Sequence, residues 1–281
     1  MPRLLVLSAA LLFSTGGAAI KATSLTGWQV ACFRSGVAAA VLLLCMPAWR
    51  RAWSLRTLAV GVAYATTMVL FVLANKLTTA ANTIFLQYTA PIYLLLLAPW
   101  LLRESVRRAD LLLVGALGVG MALFFVGTDP PHLTAPDPVR GNWLAALTGL
   151  SWALTLLGLR WLGRAETAAD PHAAGASVIV GNLLACAVCL PLALPVLGSG
   201  PLDWVTVSYL GAFQIGLAYV CLTRGVGRLR ALETSLLLLL EPVLNAVWAW
   251  LLHGEAPGAG SLAGCGVILL ATLALTLRGR D

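Results

Sequence analysis

The chain has 281 residues, 60% of them hydrophobic and only 10% charged, with a mean hydropathy of +0.91, whereas a soluble domain carries roughly 25% charged residues. Those figures exclude an ordinary water-soluble globule. The formal charge of +7, from 18 Lys+Arg against 11 Asp+Glu, would suit nucleic-acid binding in a soluble protein. Here the basic residues sit in the hinges between apolar runs, so membrane topology accounts for them and nucleic acid is not an expected partner.

In chain order, apolar runs bounded by charged residues, Gly or Pro fall at 3–22, 27–47, 55–75, 80–102, 109–126, 141–162, 173–197, 204–223, 230–252 and 259–277. Each is close to the roughly 20 residues that a helix needs to cross a bilayer. The expected fold is an all-α polytopic membrane protein of ten transmembrane helices, with no chain left for an extramembrane domain. The first run, Arg3 followed by apolar and small residues, has the layout of a cleaved signal peptide, but the repeat described next makes it a retained helix. Fourteen of the 18 Lys and Arg lie before the first span, after the even-numbered spans or after the tenth, while the opposite side holds only Lys21, Lys76 and Arg140. That asymmetry predicts both termini in the cytoplasm.

Comparison of the chain with itself gives its most informative feature. Adding 151 to Ala80, Thr83, Leu86, Pro91, Ala98, Leu101 and Glu104 lands on Ala231, Thr234, Leu237, Pro242, Ala249, Leu252 and Glu255. Earlier in each half, an offset of 139 pairs Phe13 with Trp152 and Lys21 with Arg160. Leu and Ala matches are cheap in this composition, but two mid-span prolines each followed thirteen residues later by a glutamate are not. The expected organisation is a first five-span repeat over 1–126, a connecting loop on the outer side over 127–140, a second repeat over 141–277 and a cytoplasmic tail over 278–281. An odd unit repeated in tandem must enter the membrane from opposite sides. The halves are then inverted repeats, the architecture of secondary transporters that rock about a midplane site.

Polar residues at bilayer depth are the candidate site. Pro91 and Pro242 remove a backbone N–H and break their helices at corresponding positions, the best sequence pointer to such a site. Glu241 lies near the middle of the ninth span, where a carboxylate costs on the order of 2–3 kcal/mol and usually faces a cavity or a partner. It is the candidate for proton coupling, and equally for accepting a substrate ammonium or pinning a helix. Thr234, Glu241, Asn245 and Trp248 share a helical stripe. Asn82, Thr83, Gln87 and Tyr88 cluster before Pro91, Tyr64 and Thr67 lie in the third span, Ser151, Trp152 and Thr155 in the sixth, and Gln214 and Tyr219 in the eighth. From these, Tyr64, Asn82, Gln87, Tyr88, Trp152, Gln214, Tyr219, Glu241 and Asn245 are the expected substrate-binding set. Mostly apolar and aromatic with one acid, they suit a small amphipathic solute better than an inorganic ion. The hydroxyls also have a structural reading, bonding a carbonyl one turn back. Arg34 in the second span can bind a carboxylate or snorkel outward along its stem, and snorkelling is the favoured reading. Glu104 and Glu255 read as helix-end residues beside the following helix, and the Gly-bearing fifth and tenth spans as packing helices outside the cavity.

The six Cys lie within apolar runs and act as small apolar residues, the Cys186-x-x-Cys189 pair included. The three His fall in loops and form no ligand cluster, so neither a metal nor a cofactor is expected.

The strings FLQYTAPIYLLLLAPWLLRE, ALETSLLLLLEPVLNAVWAWLLHGE and GCGVILL resemble the EamA family of the drug/metabolite transporter superfamily, and length, span number and five-plus-five repeat all match over the whole chain. The resemblance implies a bacterial inner-membrane exporter or exchanger of small metabolites, with a cavity lined by spans one, three, four, six, eight and nine. Amino acids of the aromatic and neutral type are the leading substrates. The chain departs from the family where a Trp-Gly pair commonly precedes the first-span lysine: it has Phe13 and Ser14, and only Trp152 in the sixth span keeps the Trp. Alternatives are efflux of amines, nucleosides or drugs on the same fold, or a lipid-carrier flippase. The flippase would need an intramembrane basic pocket, and an enzyme would need a nucleophile–base set or metal ligands at depth. The expected partners are a small-molecule substrate and the lipid bilayer, with the chain a monomer or weak homodimer.

Overall fold

The computed structural model describes residues 1–103, 135–163 and 171–253, with single positions between 111 and 119 and between 263 and 270. Most of the expected fifth and tenth spans, and with them Glu104 and Glu255, lies outside the described residues. Among the described residues all regular structure is helical. Eight stretches are long and apolar enough to cross a membrane: Pro2–Ala22, Gly27–Cys45, Leu55–Leu77, Ala80–Leu102, Pro138–Gly163, Ala173–Ala193, Pro201–Val226 and Glu233–Leu252. They correspond to the first four and the sixth to ninth of the expected spans.

Four spans are continuous helices: α3 (Gly27–Cys45), α4 (Leu55–Leu77), α7 (Pro138–Gly163) and α8 (Ala173–Ala193). Three are interrupted. The first consists of α1 (Pro2–Ser14) and α2 (Gly16–Ala22), the fourth of α5 (Ala80–Gln87) and α6 (Ala90–Leu102), and the ninth of α11 (Ala231–Leu237) and α12 (Leu240–His253). In the eighth, α9 (Pro201–Tyr209) and α10 (Ala218–Val226) are joined by a π-helical segment, Leu210–Leu217.

Local chemistry sets several of the boundaries. Thr26 with Gln29 and Ser54 with Thr57 bond reciprocally as capping boxes that start α3 and α4. The sixth span starts at Pro138 rather than at 141, because the Asp137 carboxylate accepts from the Arg140 N–H at 3.1 Å and begins the helix early. The eighth likewise starts at Pro201 rather than 204, with Asp203 Oδ2 accepting from Gly200 N at 2.9 Å.

The surface is inverted relative to a soluble protein. Trp100 is 87% exposed while Arg34 is 0% and Glu241 3% exposed, a distribution that suits a hydrocarbon solvent and leaves the interior to satisfy its own charges.

Contacts between the halves follow an exchange. The third span packs on the sixth as the eighth packs on the first, and the fourth on the sixth as the ninth on the first. The fourth and ninth spans run antiparallel, α5 meeting α12 and α6 meeting α11. Lys21 and Arg160, paired by sequence, act alike: Lys21 Nζ donates to the Thr78 carbonyl at 3.1 Å, just past the end of α4, and Arg160 donates to the Gly227 carbonyl, just past the end of α10. A cation there satisfies carbonyls that the helix leaves open.

Glycines allow the tightest crossing. Where α4 meets α8, a Cβ on Gly181 would collide with the Tyr64 ring and lie 2.8 Å from the Gly61 carbonyl oxygen. Gly181→Val should therefore lower the melting temperature in detergent micelles by on the order of 5 °C, since overpacking a tight contact costs about 1–3 kcal/mol. A variant that melts with the wild type would show that the two helices can part without loss.

Candidate functional site

The breaks in the first, fourth and ninth spans and the π segment of the eighth converge on one cavity. Its wall comprises Phe13 at the end of α1, Gln87 at the end of α5, Glu241 in the first turn of α12, Gln214 and Ile215 in the π segment, and Tyr219 in α10. The continuous helices add Arg34 from α3, Met68 and Phe71 from α4, and Trp152 from α7. The space left is about 20 Å³, room for about one water.

The breaks are a backbone problem solved locally. Pro242 has no N–H, so the Leu238 carbonyl loses its helical partner. It accepts instead from Glu241 N at 2.9 Å and from the Tyr88 hydroxyl at 2.7 Å. In the fourth span, Pro91 frees the Gln87 carbonyl in the same way, and the chain turns at Tyr88 and Thr89, with Thr89 Oγ1 donating to the Leu86 carbonyl at 2.8 Å. The α7 backbone closes on this turn at Gly149, where a Cβ would lie 2.8 Å from the Leu86 carbonyl. Pro91 and Pro242 thus mark the breaks at the expected places. The break in the first span, at Thr15, has no proline. Gly16 and Gly17 follow it, and Cβ atoms there would run into the side-chain amides of Gln214 and Asn245.

Four aromatic rings make one side of the site. Phe13 meets Tyr219 edge-on with centroids 5.0 Å apart and Trp152 at 6.3 Å, while Tyr64 meets Tyr219 at 4.7 Å. These tilted and edge-to-face arrangements fix the ring positions as well as burying area. Polar groups make the other side. Tyr88 Oη is 2.6 Å from Glu241 Oε2. Gln87 Oε1, Gln214 Oε1, Trp152 Nε1 and two nitrogens of Arg34, Nε and Nη1, are buried with no partner among the described residues. Arg34 Nη2 donates to the Met68 carbonyl at 3.0 Å, and the guanidinium lies 5.9 Å from the Phe71 ring centroid. The arrangement can grip a small solute with apolar bulk against the rings and hydrogen-bonding groups opposite them.

Of the residues expected from sequence, Gln87, Trp152, Gln214, Tyr219 and Glu241 line the cavity. Tyr88 stands directly behind Glu241, bonded to it. Tyr64 forms the layer behind Tyr219, and its hydroxyl accepts from Asn182 Nδ2 at 2.9 Å. Asn82 and Asn245 are off the wall. Asn82 sits five positions before Gln87, about 140° away around the helix, and its amide is directed at Thr78 Oγ1, 3.4 Å away. Asn245 is one turn beyond Glu241, against α2 and α5, with Nδ2 3.4 Å from the Ala80 carbonyl. Thr67 and Thr155 follow the structural reading, each donating to the carbonyl four residues back, at 2.9 and 2.8 Å, whereas Thr234 Oγ1 is buried with no partner among the described residues.

Sequence reasoning missed Phe13, Met68, Phe71 and Ile215, which nothing distinguishes from core residues in an apolar run. It also favoured the wrong course for Arg34. With 0% exposure the side chain does not snorkel; it is held inside by the Met68 carbonyl. The available signal was its place in α3, seven residues past the helix start, about 10 Å along the axis.

Comparison with known proteins fits this geometry. A crystal structure of a protein 21% identical to the chain matches its fold with a TM-score of 0.73, covering 99% of this chain and 97% of the other. No curated protein matches the chain. The model of the EamA-like transporter family matches residues 2–126 and again 139–277, nearly the whole length in two successive segments, and the chain belongs to that family.

Proposed function

We propose that this transporter exports or exchanges small metabolites, neutral and aromatic amino acids first among them, by alternating access around the cavity. The observation that carries the reading is the convergence of three helix breaks and a π segment on one small space, several of whose polar groups lack partners among the described residues. Secondary transporters hold their solute where discontinuous helices of two halves meet at the midplane. The antiparallel fourth and ninth spans, and the exchange of contacts between the halves, support an inverted five-span repeat.

The Lys and Arg distribution orients the chain with both termini in the cytoplasm, in the bacterial inner membrane that the family resemblance implies. Arg3 then pairs with Glu233 at 2.8 Å on the cytoplasmic side. On the outer side the Ser24 hydroxyl donates to Asp203 and Lys76 to the Thr23 carbonyl, at 2.7 and 2.8 Å. Both ends are bonded and the cavity is too small for an amino acid, so loosening one end at a time is the step that alternates access.

Glu241 is the proton-coupling group in this reading. Tyr88 Oη lies within 2.7 Å of both the Leu238 carbonyl and Glu241 Oε2, and one phenol proton serves one of them. A proton on Glu241 makes both contacts hydrogen bonds: the carboxyl donates to Tyr88, and Tyr88 donates to Leu238. An arriving ammonium takes that proton's place.

Counterflow in proteoliposomes tests the substrate reading. Labelled phenylalanine or leucine should accumulate, and excess unlabelled amino acid should abolish the uptake. Trp152→Ala should raise the half-saturating concentration about tenfold, the scale of a lost aromatic contact of about 1.4 kcal/mol. Counterflow of amines or nucleosides with no amino acid moving would replace the substrate, and no counterflow of any of these solutes would sink the reading.

Glu241→Gln tests the coupling. Its amide can donate to Tyr88 as a protonated carboxyl does, so the variant should fold normally and lose the response of transport to a pH gradient. A variant that keeps both its rate and that response rules out the coupling role.

A further inference from the structure

Resting on the reading of this cavity as the transport site, we propose that Arg34 is the anchor for a substrate carboxylate, so that the solutes carried are carboxylate-bearing zwitterions and not amines or nucleosides. The guanidinium is completely buried, lines the cavity, and has two of its three nitrogens, Nε and Nη1, without a hydrogen-bond partner among the described residues. Arginine stays protonated under all ordinary conditions, so a cation stands in the protein interior with open donors.

What surrounds it does not neutralise it. Among the described residues it bonds through Nη2 alone, to the Met68 carbonyl at 3.0 Å and weakly to Met68 Sδ at 3.8 Å, both neutral, and the Phe71 ring face adds only weak attraction. Glu241 lines the same cavity but is not within ion-pairing distance: among the described residues the only salt bridge is Arg3–Glu233. A buried charge with no counter-ion is costly, and the deficit disappears when an anion enters the cavity. A carboxylate matches the open donors with charge-assisted hydrogen bonds. Glu241 and the free amide oxygens of Gln87 and Gln214, on the same wall, are left for the ammonium. The cavity then offers a cation and an acid on one lining that also carries the aromatic rings, and a solute with both charges fits where a simple amine leaves Arg34 open.

The position of the guanidinium also separates a binding role from a structural one. The Met68 carbonyl lies within α4 and has its helical partner without Arg34. Removing the side chain strands no acid, and replacing an uncompensated buried charge by an apolar residue of similar length is neutral or stabilising.

The experiment is counterflow of labelled leucine and phenylalanine by the purified wild type in proteoliposomes, with competitors matched except at the carboxylate: leucine against leucinamide and 3-methylbutylamine, phenylalanine against phenylalaninamide and 2-phenylethylamine. The amino acids should compete at least about tenfold better than their amides or amines, the scale of a lost hydrogen bond to a charged group. Arg34→Met should melt at or above the wild-type temperature in detergent, with the half-saturating concentration for leucine raised about 10- to 100-fold. The wild-type competition series needs no variant and decides the question if Arg34→Met is recovered poorly. Amides and amines competing as well as amino acids, or Arg34→Met transporting leucine as the wild type does, would overturn the proposal. Counterflow of labelled 2-phenylethylamine without any amino acid would also overturn it while leaving a transporter in place. If no solute moves, the transport-site reading fails with it.

Discussion

Inside a bilayer a carbonyl that loses its helical N–H has no water to turn to, and the way the Leu238 carbonyl is satisfied organises the centre of this protein. Pro242 removes the partner, and the Tyr88 hydroxyl and Glu241 N–H replace it. Tyr88 is available because it sits in the turn that precedes Pro91 in the other half of the chain. The break in one half is therefore stitched by a residue exposed by the break in the other. The same phenol oxygen reaches Glu241, so the position of the acid follows from the repair of the backbone. Acid, break and inter-half contact thus meet at one phenol oxygen.

The second requirement is close approach. Polar side chains on neighbouring spans press against the first-span backbone where Gly16 faces Gln214 and Gly17 faces Asn245, and Gly211 in the π segment lies against the Arg34 carbonyl. Missing Cβ atoms give these side chains room at the core, but without enough partners. Each unsatisfied buried polar atom costs about 1–3 kcal/mol, and among the described residues Gln87, Trp152 and Gln214 each carry one on the cavity wall and Arg34 two. A solute with complementary groups recovers part of that deficit on entry.

The scale of the fold was legible in the sequence because hydrocarbon solvent leaves a strong signature: eight of the expected spans appear where apolar runs of about 20 residues fall. The breaks were legible because proline has one backbone consequence wherever it stands. The site was legible in part. Gln87, Gln214 and Glu241 announce themselves by being costly at depth, whereas Phe13 and Phe71 are silent among other apolar residues. Asn82 was misplaced because closeness in sequence was read as a shared face, and the helix turns it away from Gln87. Arg34 was misjudged because snorkelling is a property of the side chain alone, while its actual course depends on an acceptor in another span, the Met68 carbonyl. Pairings across elements are what a single sequence does not display.

The two halves share a scaffold and differ at the site. Lys21 and Arg160 close corresponding helix ends, and the fourth and ninth spans break at corresponding turns. At the cavity the register pairs unlike residues: by the 151-residue offset Glu241 falls on Ala90, Gln87 on Leu238 and Tyr88 on Leu239, and by the 139-residue offset Trp152 falls on Phe13. A symmetric cavity would have presented two acids and two phenols and bound a solute equally well either way round. Here the fourth and eighth spans each bring an amide and a phenol, Gln87 with Tyr88 and Gln214 with Tyr219, the ninth the acid, and the second the guanidinium. The breaks that the two halves share provide the place for a site, and the substitutions that separate them give it a direction.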